Sequence, residues 1–372
     1  MIPRLGITLG DPAGIGAEVI LKAVTDSGLA PAFEPLVIGD LESLRETAGR
    51  LRIRCDLVPI GEAELAARIA RRETRPVVRV LAGQALSARA RRPGRPTLEG
   101  GAAAYRYIET AVRLARASTI AAIVTAPINK ASVARAGHPI SGHTELLQQL
   151  TGAREVRMML VGERLKVVLV TTHLALGAVP AALTTRAITR TIVIAHEHLR
   201  RYHRLSHPRL AVAGLNPHAG EHGLFGSEES MIIAPAIRRA CQAGAPASGP
   251  HPADSLFFRA AAGEFDAVIS MYHDQGLIPL KLLHFHDAVN VTLGLPVVRT
   301  SPDHGTAYDI AGRGTADAGS MKAALALAAR MARRAAGGAA APSTRAMAHR
   351  ADQSSPRSSR RPAALARRRH TR

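Results

Sequence analysis

Three histidines in this 372-residue chain stand in the same local context. His173 follows the apolar run Lys166 to Val170, His218 follows Leu210 to Leu215, and His273 follows Ala267 to Met271. Imidazole is the commonest protein ligand for zinc and similar divalent ions. A catalytic site typically takes three protein ligands and keeps a position open for water or substrate. Any one such histidine is explained as a hydrogen-bonded residue at a strand end, whereas three in one context favour a shared cation. They lie 45 and 55 residues apart, so only the fold can gather them. Asp274 beside His273, and Asp254 in the loop from Gly249 to Phe257, are of a type to orient imidazoles through the second ring nitrogen. Four others, His196, His198, His203 and His207, fall on or after a helical stretch from Thr185 to Arg200 and are expected to be solvated.

A second set of residues suits anions. Lys130, in TAPINK, is one of only five lysines. SGHTELL, Ser141 to Leu147, places His143 and Thr144 at the start of an apolar-periodic helix. There the side-chain donors and the positive end of the dipole suit a phosphate, or Thr144 simply caps the helix. Lys281, Asn290 and Arg299 follow His273 and are expected on one sheet edge, Arg offering a carboxylate or phosphate its planar fork and Lys a point charge. The turn in GDPAGIG, with Gly14 and Gly16, is either a phosphate cradle or a turn that packs closely. It is neither a G-x-G-x-x-G fingerprint nor a Walker loop.

Positioning these groups requires strands that end at a common place. Apolar, β-branched runs at Ile7 to Asp11, Glu34 to Asp40, Cys55 to Ile60 and Ala121 to Thr125 alternate with helical stretches, among them Gly101 to Ala117, and the three histidine-tipped runs continue the alternation. This is the pattern of an α/β protein with a mostly parallel sheet. Arg71 to Pro96, dense in Arg, Pro and Gly, reads as an exposed excursion. A last alanine-rich helix spans Ser320 to about Arg334, and residues 335–372, rich in Arg, Ser, Pro and Ala, read as a disordered tail.

Composition narrows the function. Of the net charge of +20, the tail carries nine Arg against one Asp, so the body remains basic. Its arginines are scattered and aromatics make up 3% of residues, which offers little for base stacking; a basic cleft drawing an anionic substrate accounts for the charge better than nucleic acid does. A nucleic-acid-binding protein using the basic tail remains the remote alternative. No apolar run reaches the length of a membrane span, and the opening MIPRLGITLGDPAGIG lacks a charged leader and cleavage site, so a cytoplasmic protein is expected. Cys55 and Cys241 are too few for a disulfide framework or a thiolate metal site.

Taken in order, GDPAGIG, TAPINK, SGHTELL, TTH, GLNPHAGE, PADSLF, MYHDQG, VNVTLGLPVVRTS and DHGTAYDIAGRG resemble the 4-hydroxythreonine-4-phosphate dehydrogenase (PdxA) family of vitamin B6 biosynthesis, from Ile7 to about Arg330. The stretch LLHFHDAV, Leu282 to Val289, is bulkier and more charged than its counterpart in that family. HGTAYDIAGRG also resembles the adenosine-binding loop of isocitrate and isopropylmalate dehydrogenases.

The resemblance implies a two-domain fold of the isocitrate/isopropylmalate dehydrogenase kind, with the site in the cleft between domains. Residues 1–125 with 300–334 would form the cofactor-side domain, and 126–299 the metal and substrate side. The implied reaction is oxidation of 4-phosphohydroxy-L-threonine by NAD or NADP, with decarboxylation to 3-amino-2-oxopropyl phosphate. The alternative is a paralogue acting on D-erythronate or D-threonate 4-phosphate. Carried over by position, His173, His218 and His273 would bind one divalent ion (zinc, cobalt, manganese or magnesium). His143, Thr144, Lys281, Asn290 and Arg299 would contact substrate, and His304, Gly305, Thr306, Asp309 and Gly312 the cofactor. Lys281, held deprotonated by nearby positive charge, would be the catalytic proton acceptor. A homodimer with the site at the subunit interface is implied, one histidine coming from the second chain.

Overall fold

Short β-branched runs alternate with amphipathic helices throughout, and the computed structural model, which describes residues 2–29, 32–66, 76–140 and 142–337, assembles the runs into a single 12-stranded sheet. The strands are β1 (Arg4–Thr8), β2 (Glu34–Gly39), β3 (Asp56–Ile60), β4 (Val77–Ala82), β5 (Ala122–Thr125), β6 (Arg157–Val161), β7 (Lys166–Leu169), β8 (Leu210–Ala213), β9 (Ala247–His251), β10 (Ala267–Ser270), β11 (Val289–Leu293) and β12 (Arg299–Pro302). Their order is β3-β4-β2-β1-β5-β12-β11-β6-β7-β10-β8-β9. Neighbours are parallel except where β11 meets β12 and β6, and where β6 meets β7. The strands from β3 to β12 therefore run one way, and those from β7 to β9 the other. The α/β class with a mostly parallel sheet agrees with the sequence.

Central strands such as β5 (AIVT), β8 (LAVA) and β10 (AVIS) are buried along their whole length, as strands covered by helices on both faces must be. The helices Leu98–Arg116 and Thr185–His203 begin at Thr97 and Thr184, whose hydroxyls accept the N–H groups of Gly100 and Ala187 and so satisfy donors that the helix leaves free.

Two expectations are corrected here. The Arg71 to Pro96 stretch is only in part an exposed excursion among its described residues: residues 82–85 and 87–89 are exposed, but Val77–Ala82 forms β4, paired in parallel to β2 and β3, and Leu86 and Ala90 beyond it are buried. The apolar VVRVLA run supplies the strand, and the surrounding Arg and Pro obscure it; residues 71–75 lie outside the described residues. His196 and His198 are buried rather than solvated, because Thr185–His203 packs against the last helix, Gly319–Ala336, as well as the sheet. That helix runs two residues past the expected end of the body; the expected tail otherwise falls on residues 338–372, outside the described residues. Among the described residues no helix is long and apolar enough to cross a membrane. Both cysteines are free thiols.

Candidate active site

The residues with chemistry meet where strand direction reverses. Arg299 opens β12, Thr292 of β11 lies across from it, and Thr125 of β5 flanks it on the other side. Residues two apart on a strand share a face, so Asn290 and Thr292 of β11 project on the same side as Arg299 and Ser301 of β12. The sequence placed Lys281, Asn290 and Arg299 on a sheet edge. Asn290 and Arg299 are instead on the two innermost strands, because β11 returns antiparallel between β12 and β6.

Arg299 is 2% exposed. It donates to the hydroxyls of Thr292 (3.0 Å) and Thr125 (2.7 Å), while its buried Nε has no partner among the described residues. Burial pushes its pKa down to about 9, and the more distant Glu145 carboxylate opposes this only in part. A guanidinium enclosed by hydroxyls is a charge awaiting an anion. His143 begins the helix His143–Thr151, whose N-terminus at Gly142 has no side-chain cap, so Thr144 does not cap it. The His143 imidazole is held well below its ordinary range by burial first, then by the Arg299 and Lys130 cations, and its enclosed Nε2 has no hydrogen-bond partner among the described residues. Ser141 of this motif lies outside the described residues.

The helix His273–His284 carries His273 on its first turn and Lys281 two turns later. Lys281 Nζ lies 3.2 Å from Asp303 Oδ2, so the charge beside this lysine is negative, not positive as the proton-acceptor reading assumed. The Asn290 Oδ1 and His304 Nε2 atoms are also buried without a hydrogen-bond partner among the described residues. Enclosed polar atoms of this kind cost stability unless something else satisfies them, and His143, Asn290, Arg299 and His304 of the candidate site are among the residues that carry them.

The loop after β12 faces the first strand-to-helix turn. Ile15 N–H donates to Thr306 O at 3.1 Å, Tyr308 Oη donates to Asp11 Oδ2 at 2.6 Å, and a Cβ on Gly14 would come within 3.0 Å of Thr306 O. Gly14 thus serves close packing of the two loops. Burial raises the Asp11 carboxyl, partly offset by the Tyr308 hydroxyl and the Ala13 N–H. His304 Nδ1 contacts Gly305 O at 3.1 Å, the space above Gly305 is open, Asp309 is exposed, and Gly312 takes φ +79° against the Arg50 side chain.

Of the three candidate metal ligands, the fold brings two together: the His173 and His273 rings lie 5.7 Å apart, centroid to centroid. Burial, then Lys130 and His273, lowers the His173 pKa and so favours the neutral imidazole that a metal needs. His273 Nδ1 lies 2.7 Å from Asp274 Oδ1, and His218 Nδ1 lies 2.8 Å from Glu221 Oε2. A carboxylate on Nδ1 fixes the tautomer that leaves Nε2 free as a ligand. These donors fit a divalent cation. Asp274 has the orienting position expected of it. Asp254 does not, since its carboxylate turns to the Ser255 N–H. Among the described residues no third His, Cys, Asp or Glu completes a metal set in one chain. His218 stands on a turn that sequence reading did not foresee. His218 to His222 all have φ between +42° and +83°. Four of the five are not glycine, at about 1–2 kcal/mol each.

The model of the family described as "Pyridoxal phosphate biosynthetic protein PdxA" matches residues 31–328. A 4-hydroxythreonine-4-phosphate dehydrogenase of Desulfosudis oleivorans is 49% identical, over 87% of this chain and 94% of its own length. A D-threonate 4-phosphate dehydrogenase of Salmonella typhimurium is 44% identical, over 88% of this chain and 98% of its own. The crystal structure of a 4-hydroxythreonine-4-phosphate dehydrogenase from Klebsiella pneumoniae superposes with a TM-score of 0.80 at 41% identity, covering 89% of this chain and 99% of that one.

Proposed function

We propose that this chain, which belongs to the PdxA family of pyridoxal phosphate biosynthetic proteins, is a dehydrogenase that oxidises the C3 hydroxyl of 4-phosphohydroxy-L-threonine with NAD or NADP, the 3-oxo acid then losing CO2 to give 3-amino-2-oxopropyl phosphate. The observation that carries the reading is the buried Arg299, in no ion pair among the described residues, near a His143 Nε2 that has no hydrogen-bond partner among them, an arrangement that suits a phosphate.

In this reading Arg299, His143 and Thr144 hold the phosphate and Asn290 orients the substrate. His173 and His273 hold a divalent ion with His218 of a second copy, and the loop His304, Gly305, Thr306, Asp309 and Gly312 receives the dinucleotide. A cation held there would acidify the substrate hydroxyl and polarise the ketone, and a nicotinamide bound at the loop would supply the hydride acceptor. For Lys281 to serve as the proton acceptor, its ammonium would first pass a proton to the Asp303 carboxylate, 3.2 Å away, and the freed amine would then take up the hydroxyl proton. A homodimer is supported by the large apolar side chains left exposed on the helix that bears His273 and Lys281, namely Ile278, Leu282 and Phe285, and by the absence of a third ligand within one chain among the described residues. The reversal at β11 and β12 suits a division into a cofactor side, 1–125 with 300–334, and a metal and substrate side, 126–299.

A second reading, D-threonate 4-phosphate as substrate, is favoured by the Salmonella relative. It would keep the metal, cofactor and phosphate contacts. Steady-state NAD(P)H formation with each substrate on the same preparation decides between them. Efficient turnover of the amino acid phosphate is expected, and turnover of the sugar-acid phosphate alone would overturn the assignment.

A further inference from the structure

We propose that Glu229 is a positioning residue that holds the left-handed turn His218 to His222 in the form that presents the His218 imidazole. The inference rests on the reading of His218 as a metal ligand.

The turn follows β8, and its backbone conformation is costly to hold. Five successive residues adopt a conformation that side chains disfavour, and only Gly220 among them is free of that penalty. Beneath the turn lies Glu229, 5% exposed. Its Oε1 accepts the N–H groups of Leu215 and Asn216, both at 2.8 Å, and its Oε2 accepts Asn216 Nδ2 at 3.0 Å. Asn216 Nδ2 also reaches Glu228 Oε2 at 2.8 Å. One buried carboxylate thus fixes the two residues that enter the turn, just ahead of Pro217 and His218.

The fit is close on the other side as well. A Cβ on Gly220 would come within 2.7 Å of Glu229 Oε2, and one on Gly214 within 3.2 Å of Oε1, so the backbone is drawn down onto the carboxylate. Ala219 N–H to Asn216 O (3.1 Å) and Phe225 N–H to Gly220 O (3.2 Å) close the turn around it. Glu229 is itself set by a wide helical turn, Glu229–Ile233, that opens the following helix; such wide turns recur at functional sites. Glu221, inside the left-handed run, then meets His218 Nδ1. Glu229 touches neither substrate nor metal in this arrangement. It acts through the backbone that carries His218.

The test uses the full-length protein stripped of metal, with Co²⁺ alone as probe, in Glu229→Gln, Gly220→Ala and His218→Ala variants. Gln keeps the shape of Glu229 but turns a donor toward Asn216 Nδ2, and Ala at 220 disturbs the same contact from the opposite side, so the second variant stands if the first fails to fold. Without metal, hydrogen exchange at the Leu215 and Asn216 amides should speed up about tenfold or more in Glu229→Gln, through loss of a charge-assisted bond at each. Co²⁺ affinity by calorimetry should fall about ten- to hundredfold in both turn variants, with a changed visible Co²⁺ spectrum. Unchanged Co²⁺ affinity in both, where His218→Ala has lost it, overturns the role of Glu229 and leaves the ligand reading standing. Unchanged affinity in His218→Ala overturns the ligand reading, and the role of Glu229 with it.

Discussion

Replacing Arg299 by Met separates what the site costs from what it binds. Burial lowers the Arg299 pKa from 12.5 to about 9. At about 1.36 kcal/mol per pKa unit, that is a desolvation cost of about 5 kcal/mol for a charge it nevertheless keeps at neutral pH. Against this stand two hydrogen bonds from a charged donor to the Thr125 and Thr292 hydroxyls, together about 3–6 kcal/mol. The terms nearly cancel, so Arg299→Met should unfold within about 2 kcal/mol of the parent when no anion is present. With an anion the two proteins should diverge. At a hundred times its dissociation constant, a ligand that binds only the native state adds about 2.7 kcal/mol. For a body of this size, with an unfolding entropy near 0.7 kcal/mol/K, that is a Tm rise of about 4 °C. Thermal and urea unfolding of both proteins, with and without inorganic phosphate and then the substrate, reads this directly. A variant that keeps the full phosphate-dependent rise, or one that loses more than about 4 kcal/mol without anion, refutes the assignment of Arg299 as an unpaired charge reserved for a ligand.

Burial depresses the pKa of His198 to about 3 and of His203 to about 4. Both stay neutral in the native state while the unfolded chain takes up protons below about pH 6.5, so stability is lost as pH falls. Between pH 7 and 5 the loss should be about 2 kcal/mol per histidine; urea unfolding at the two pH values measures it, and a flat profile contradicts the burial of these rings. Lys281→Ala should lower kcat about 10²–10⁴-fold, whereas Asp303→Asn, which frees the ammonium without removing it, should do less; equal losses would place the role on the ion pair rather than the lysine. His273→Ala should abolish metal binding, and Asp274→Asn should weaken it about ten- to hundredfold; calorimetry with Co²⁺ on the chelated protein checks both, and unchanged affinity in Asp274→Asn removes the carboxylate from the metal's support.

The α/β class was legible because β7, β8 and β10 are short apolar runs ending in polar residues, and because the helices between them are periodic. The same regularity marked His173, His218 and His273. What periodicity does not carry is which strands become neighbours. The burial of Arg299 depends on β11 folding back antiparallel between β12 and β6, and no local pattern in VNVTL announces that return. For the same reason Asn290 was placed on an edge. β4 was hidden by the arginines and prolines around it, and His196 and His198 by the charged residues beside them, since one face of Thr185–His203 meets water and the other does not. The left-handed run was invisible because PHAGEH contains a single glycine, and a turn of that hand is normally read from several.

The exceptions to local rules gather in one region, and they differ in the sign of charge they need. Arg299 and the His143 Nε2, which has no hydrogen-bond partner among the described residues, suit an anion, whereas the paired His173 and His273 suit a cation. Lys130 belongs to both groups. Its ammonium depresses the imidazoles of His143 and His173 alike, and a Cβ on Gly142 would come within 3.5 Å of its Nζ. Burial first, then the Arg299 and Lys130 cations for His143 and Lys130 for His173, lowers both imidazoles, which favours the neutral rings that the proposed phosphate and metal contacts would use. Protonating either ring would instead put two cations side by side and forfeit the metal ligand. The proposed substrate, with a phosphate at one end and a hydroxyl β to a carboxylate, would meet both requirements with one molecule, each part offsetting a cost that the empty chain bears.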